Sequence, residues 1–164
     1  MEFFSTLSSF NVLMLVPTTV ATLARLPTAI AQSPIRSLTR HFSTKLPAGF
    51  PSPATDQMED GLDLNEHLIA HKAASFLFEV RGTSMRDAGI LDGDKVVVDR
   101  SVTAKHGHIV VAVVNGDCTI KRLYRRAGRI ELRAENPDFQ PIKFADGDEL
   151  QVWGVVVGVV RKYL

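Results

Sequence analysis

Two side chains in this sequence are of types that could carry out acyl transfer together, without a histidine or a metal. Ser84 lies in the stretch VRGTSMRD, where a glycine turn follows a strand-like run, and Lys121 lies further on in DCTIKRLYRR. A serine hydroxyl is a useful nucleophile only when a base removes its proton. Burial of a lysine favours the neutral amine, which can be that base. The pair therefore predicts a serine–lysine dyad, a variant of the serine-hydrolase triad.

Both residues also have an ordinary structural interpretation. Serine is common in tight turns, where its hydroxyl bonds the nearby backbone. Lysine is rarely buried, and on a strand it usually faces solvent. On residue types alone, a turn serine and a surface lysine remain the alternative to catalysis.

The elements that must position this pair are short strands separated by turns. Apolar, β-branched runs predict strands at 76–80, 95–99, 109–114, 119–124, 129–133 and 150–160. Asn115-Gly116 between two such runs indicates a hairpin, and strand alternation places Thr119, Lys121 and Leu123 on one face. The predicted fold class is mostly β, a compact antiparallel domain over residues 75–164.

The chain before these strands divides into two parts. Residues 46–56, LPAGFPSPATD, contain three prolines and a glycine, which favour an extended backbone. From Gly61 to Ala74 the apolar spacing predicts a short helix or turn, with Asp63 able to cap it. We therefore predict a flexible N-terminal arm over 1–48, and an extended segment with a short helix or turn over 49–74.

Composition limits the other classes of function. The residues are 45% hydrophobic and 23% charged, so a packed core is possible, and a net charge of +1 gives no reason for nucleic-acid binding by the whole surface. The single cysteine, Cys118, excludes an internal disulfide and fits a reducing cytoplasm.

The apolar run Phe10–Val16 is shorter than the roughly 20 residues of a spanning helix. His67 and His71 have no evident acid partner and are interpreted as a polar face, so no metal, cofactor or membrane segment is expected.

Longer stretches resemble the self-cleaving serine–lysine peptidases of the LexA/UmuD type. They are GTSMRDAGILDGDKVVVD, GHIVVAVVNGDCTIKRL, AENPDFQPI and VWGVVVGVV, and the resemblance covers about residues 46–164. In that family the nucleophile follows a Gly-x-Ser-Met pattern, and the general-base lysine lies in a Thr-(Ile/Val)-Lys-(Arg/Lys) strand. The resemblance implies the C-terminal peptidase fold of that family, with Ser84 as nucleophile and Lys121 as general base.

The resemblance also implies a substrate within the chain itself. The family cuts an Ala-Gly or Cys-Gly bond in its own N-terminal segment, which here is Ala48-Gly49 in PAGFPSP. A glycine lets the backbone approach the nucleophile closely. Backbone N–H groups near Thr83 and Ser84 would hold the oxyanion. An ordinary linker is the alternative for this segment.

Within the family, GFPSPA followed by DLN favours the UmuD type over the LexA type. That type implies a cytoplasmic homodimer whose self-cleavage is stimulated by the RecA filament on single-stranded DNA in the SOS response. The trimmed form would then serve a UmuC-type, Y-family polymerase in translesion synthesis, without sequence-specific DNA binding of its own. The alternatives are a LexA-like repressor, which needs a helix-turn-helix not evident here, a type I signal peptidase, which needs a membrane helix, and a catalytically silent polymerase-binding module.

Overall fold

The computed structural model describes residues 28–30, 38–42, 48–49, 58–144 and 150–164. Most of these residues lie in ten strands, in chain order β1 Thr28–Ala29, β2 Leu38–Phe42, β3 Met58–Asp63, β4 Ser75–Glu79, β5 Lys95–Asp99, β6 Ile109–Val114, β7 Asp117–Arg126, β8 Arg129–Arg133, β9 Ile142–Lys143 and β10 Leu150–Val160. Eight strands form one sheet in the order β1-β4-β5-β10-β6-β7-β8-β9, and β2 and β3 form a second. All pairs are antiparallel. The predicted fold class is confirmed.

The predicted strands agree closely with the observed ones. β5, β6, β8 and β10 have the predicted bounds, and β4 is shifted by one residue. β7 is longer than predicted at both ends, because two-residue turns let pairing start directly beside them. At the first turn Asn115 and Gly116 have φ of 49° and 93°, and Val114 pairs with Asp117. The hairpin signal therefore holds, and it fixes the register of Lys121 opposite Val110.

The helical prediction for residues 61–74 is only partly right. The α-helix α1 spans Leu64–Leu68 alone, and a short 3-10 helix covers Lys72–Ala74. Asp63 caps α1 as predicted, since its Oδ1 accepts a hydrogen bond from the Asn65 N–H at 2.8 Å. The residues just before the cap belong to β3, which the sequence pattern did not predict.

Two strands lie in the segment predicted to be a flexible arm. β1 adds to the edge of β4, with Thr28 opposite Leu77 and Ala29 opposite Phe76. β2 pairs with β3, so that residues 48–49 lie in the connection between two paired strands. The apolar run Phe10–Val16 lies outside the described residues. Among the described residues, no helix is long and apolar enough to cross a membrane.

The hydrophobic core anchors the turn that carries Ser84. Met85, the next residue along the chain, is 1% exposed and packs in one cluster with Val80, Ile90 and Val96. A second cluster contains Leu123 and Leu132 from β7 and β8, together with Val110, Ala112 and Val155. Full burial of a large apolar side chain contributes roughly 1.5–3 kcal/mol. The core therefore fixes both the nucleophile turn and the strand that carries Lys121.

Candidate active site

Ser84 and Lys121 contact each other in the structure. Ser84 lies in the turn between β4 and a 3-10 helix over Arg86–Ala88, and Lys121 lies in the middle of β7. Their Oγ and Nζ atoms are 2.9 Å apart. That distance is within hydrogen-bond range. The two residues that the sequence singled out are therefore brought together, as expected.

The environment of Lys121 is desolvated, and the described residues give it no ion pair. The residue is 7% exposed, and within the described part of the chain no carboxylate pairs with it. Besides Ser84, the Lys121 Nζ contacts the Thr119 Oγ1 at 3.0 Å and the Ile120 carbonyl at 2.9 Å. Burial lowers the pKa of Lys121 from its usual 10.5.

These three contacts fit both protonation states of the amine: an ammonium can donate to all three oxygens, whereas a neutral amine donates to two of them and accepts from the third. A neutral amine has two N–H donors and one lone pair. When the two donors are directed to the Thr119 hydroxyl and the Ile120 carbonyl, the lone pair is left for the hydroxyl proton of Ser84. A nucleophile in hydrogen-bond contact with a base that other groups orient is the arrangement that activates serine.

The nucleophile turn is held by Glu135 and Asn136, which lie 51 residues after Ser84 and 53 residues after Thr83 respectively. The Glu135 N–H donates to the Ser84 carbonyl at 2.9 Å, and the Asp87 N–H donates to the Glu135 carbonyl at 2.9 Å. The Asn136 side chain, 3% exposed, donates from Nδ2 to the Thr83 carbonyl at 3.0 Å. In the sequence, AENPDFQPI is recognisable only as part of the family resemblance, and no role for Glu135 or Asn136 follows from it.

A side-chain ion pair joins that supporting segment to the strand of the base. Arg122, next to Lys121 on β7, donates from Nε to the Glu135 carboxylate and from Nη1 to the Gly107 carbonyl at 2.6 Å. Glu135 is the residue whose backbone holds Ser84. The nucleophile and the base therefore share one supporting network.

The N–H groups beside the nucleophile are available to a substrate. Within the described residues, the N–H groups of Thr83, Ser84 and Met85 donate to no protein acceptor. The Asn136 contact occupies the carbonyl of Thr83 and leaves its N–H open. The assignment of Thr83 and Ser84 as oxyanion donors stays a prediction, and Met85 offers a third donor in the same turn.

Ser84 and Lys121 open onto a cleft of about 350 Å³. It is lined by Phe78, Glu79, Val80, Arg81, Gly82, Thr83, Ser84, Val96, Val111, Cys118, Thr119, Ile120, Lys121 and Phe139. Ala48 and Gly49 are exposed and do not line it. A larger, more apolar cavity of about 640 Å³ contains neither Ser84 nor Lys121. In this conformation the predicted scissile bond therefore lies outside the site.

One wall of the cleft is a strand edge. β8 pairs with β7 only from Arg122 to Arg126, whereas β6 pairs with it from Asp117 onward. Among the described strands, the edge of residues 117–121 that faces away from β6 therefore has no partner. An unpaired edge beside a nucleophile can accept an extended peptide by strand addition.

Histidine 71 has an acid partner that the sequence analysis missed. Its Nδ1 lies 2.7 Å from the Oδ2 of the buried Asp99, at the end of β5. The prediction that it lacks such a partner is wrong. The pairing of β4 with β5 places Asp99 opposite Ser75, and this brings Asp99 close to His71, 28 positions away in the sequence. Across the described ranges, no group of three or more histidine, cysteine, aspartate or glutamate side chains is placed to hold a metal.

Thr119→Val is expected to slow any reaction that uses Lys121 as a base. The change keeps the shape of the side chain but removes the oxygen that orients Nζ. Loss of one hydrogen bond worth about 1.4 kcal/mol lowers a rate roughly tenfold. The measurement is the first-order rate constant of self-cleavage, with Thr119→Ser as the control that keeps the hydroxyl. Equal rates for valine and serine would show that Thr119 does not orient the lysine.

The fold and this pair define a serine-peptidase type of β domain. Residues 41–157 match the peptidase S24-like family. The chain belongs to that family.

The chain is similar to several proteins named LexA repressor. It is 45% identical over 117 residues to that of Bordetella pertussis, covering 71% of this chain and 54% of the relative. It is 42% identical over 128 residues to that of Ralstonia nicotianae, covering 77% of this chain and 59% of the relative. The chain thus spans little more than half the length of these relatives. Their names do not confirm the UmuD type and favour the LexA-like alternative.

Proposed function

We propose that this chain is a self-cleaving serine–lysine peptidase that cuts its own Ala48–Gly49 bond. The observation that carries the proposal is the 2.9 Å contact between Ser84 Oγ and Lys121 Nζ. The lysine is buried and free of an ion pair within the described chain, and its pKa is lowered. A turn serine and a surface lysine would not meet in this way.

The proposed reaction needs only groups of this chain and water. Neutral Lys121 takes the hydroxyl proton of Ser84 as Oγ attacks the carbonyl carbon of Ala48. The oxyanion accepts hydrogen bonds from N–H groups of the nucleophile turn. The C–N bond then breaks, and Lys121 returns the proton to the Gly49 nitrogen. Water hydrolyses the Ala48 ester, with Lys121 again as base, and restores Ser84.

The segment around Ala48 must enter the cleft before this reaction. Gly49 lies nine residue steps before the first residue of β3, a length that can span roughly 30 Å when extended. We keep cleavage within one subunit and cleavage across a dimer as alternatives. We propose that the segment docks as an added strand along the free edge of β7. Signals that promote this docking would control the rate.

The proposed biological role is a switch in the SOS response to DNA damage. In the LexA/UmuD-type proteins that this chain resembles, the RecA filament on single-stranded DNA stimulates self-cleavage, and the proteins act as cytoplasmic homodimers. Similarity to proteins named LexA repressor supports a repressor that cleavage inactivates. Binding of the full chain to operator DNA, lost after cleavage, would test that role.

A second candidate is the UmuD-type role in error-prone translesion synthesis. It rests on the resemblance of GFPSPA and DLN, which follow the proposed scissile bond. The trimmed chain would then bind a UmuC-type, Y-family polymerase. Co-purification of the trimmed chain, but not the full chain, with such a polymerase would favour this candidate over the repressor.

Incubation at alkaline pH tests the cleavage itself. At about pH 10 more Lys121 is neutral than at about pH 7, so the rate should rise with pH. Because burial lowers the pKa of Lys121, the rise should level off below pH 10.5. Intact mass and N-terminal sequencing should find a fragment that begins at Gly49, and Ser84→Ala should give none. A chain that stays uncut at both pH values, with and without activated RecA, would refute the proposal.

A further inference from the structure

The outer face of β7, β8 and β9 carries an excess of positive charge. Strand register places seven residues on this one face: Arg122, Tyr124, Arg126, Arg129, Glu131, Arg133 and Lys143. The opposite face carries Leu123, Leu132 and Ile142, which pack in the core. Five of the seven side chains on the outer face are cationic and one is anionic.

Three of these cations are not neutralised within the described chain. Arg133 pairs with Glu131, and Arg122 pairs with Glu135. In the part of the chain that the structure describes, exposed Arg126, Arg129 and Lys143 form no ion pair. The positive charge is local, because residues 49–164 together hold 15 basic and 17 acidic groups.

The turn between β7 and β8 holds two of these guanidinium groups close together, which costs some stability locally. Arg126 and Arg129 face each other directly across β7 and β8, and like charges in opposite positions destabilise a sheet. The turn between them places Ala127 at φ 49°, a region that disfavours residues with a Cβ. Such strain in a folded protein often lies at sites that bind ligands. The pKa of nearby His106 is lowered. Desolvation is the largest cause, and the positive charges of Arg126 and Arg133 add to it.

We infer that this outer face of β7, β8 and β9 binds the phosphate backbone of nucleic acid, independently of base sequence. The charges match a polyanion, and counterion release would supply the affinity. The face lacks the exposed apolar anchor that a protein interface needs, since no exposed large hydrophobic side chain of the described residues lies on these strands. Its one aromatic ring, Tyr124, is covered by Arg133 at 3.6 Å and by His106. The face therefore offers no aromatic ring on which a base could stack, and its contacts with nucleic acid would be to the phosphates. This inference is independent of self-cleavage.

Fluorescence anisotropy tests the inference with labelled DNA of about 20 nucleotides, single-stranded and duplex, at about 50 to 200 mM salt. The protein is the full chain carrying Ser84→Ala, so that it stays uncut. In this background Arg126→Gln/Arg129→Gln should weaken binding at least about tenfold. The slope of log affinity against log salt should fall by about 1.4 for single strands. The control Lys72→Gln/Lys162→Gln removes two exposed charges outside β7–β9 and should bind like the parent.

Two outcomes would overturn the inference. One is equal binding by the Arg126→Gln/Arg129→Gln variant and the control. The other is tighter binding of poly-glutamate than of DNA at equal charge and salt, which would assign the face to an acidic protein. Lys143→Gln gives an independent check, with a smaller loss and a slope change of about 0.7 for single strands, because no cation lies opposite it. Comparison of single-stranded and duplex probes identifies which form of nucleic acid is bound.

Discussion

Lys121→Met is expected to abolish self-cleavage at every pH and to stabilise the fold at neutral pH. Methionine fills a similar volume but cannot accept the proton of Ser84. Loss of general-base catalysis should lower the rate by about 10³-fold or more. The measurement is the fraction of chain cut at Gly49, followed by intact mass from neutral to alkaline pH.

The gain in stability follows from the lowered pKa of the buried lysine. Between that lowered value and the usual 10.5, the unfolded chain binds more protons than the folded chain, so the contribution of Lys121 to stability rises with pH. Below this window both states are protonated, and the folded chain carries the full cost of a buried ammonium. We expect Lys121→Met to raise the free energy of unfolding by roughly 1 kcal/mol at neutral pH. The gain should shrink as the pH approaches 10.5.

Urea unfolding at both ends of this pH range tests the sign. Parent and variant should both carry Ser84→Ala, so that neither is cut, and the titration of other groups cancels in the difference. Lys121→Arg is the matched control: it keeps a cation and should also be inactive, without the gain in stability. A methionine variant that is less stable than the parent at neutral pH would show that the contacts of Nζ outweigh its desolvation.

Asn136→Ala is expected to lower the cleavage rate by about 100-fold. The side chain donates to the Thr83 carbonyl, directly before the nucleophile. Without this bond the turn can shift, and a displacement of about 1 Å at a reacting atom can cost 10²-fold in rate. Thr83 keeps one backbone partner, the Arg86 N–H, so the loss of stability should be only about 1 kcal/mol.

The shape of the pH–rate profile separates positioning from general damage to the fold. Asn136 does not contact Lys121, so the midpoint of the profile should stay in place while its plateau falls. Asn136→Asp keeps the acceptor for the Asp138 N–H but loses the donor to Thr83, and it should be nearly as slow as Asn136→Ala. If Asn136→Ala unfolds more easily but cleaves at the parent rate, Asn136 has a structural role only.

The strands and the central pair of this site could be predicted from the sequence because their signals are local. The Asn115-Gly116 turn fixes the register of β7, and alternation along β7 then places Lys121 and Leu123 on the buried side. Ser84 stands out by its glycine turn. The family resemblance joined the two residues, whereas composition alone left a turn serine and a surface lysine as the alternative.

The supports of the site could not be predicted in this way. Glu135 and Asn136 act through contacts with Ser84 and Thr83 across about 50 residues, and no periodic pattern marks them. The pairing of His71 with Asp99 could not be predicted for the same reason, since it is also a contact between residues far apart in the sequence. β1 was also missed, because a strand of two residues is too short to show an alternating pattern, and it forms by pairing with the edge of β4.

The position of the proposed scissile bond between β2 and β3 implies that cutting and separation are two distinct events. After hydrolysis at Ala48, the released piece would still be held by backbone hydrogen bonds, through β1 on β4 and β2 on β3. The product would first be a nicked but complete molecule, intact on a native gel and split on a denaturing one. The lifetime of that nicked state would set a delay between cleavage and release of the N-terminal piece.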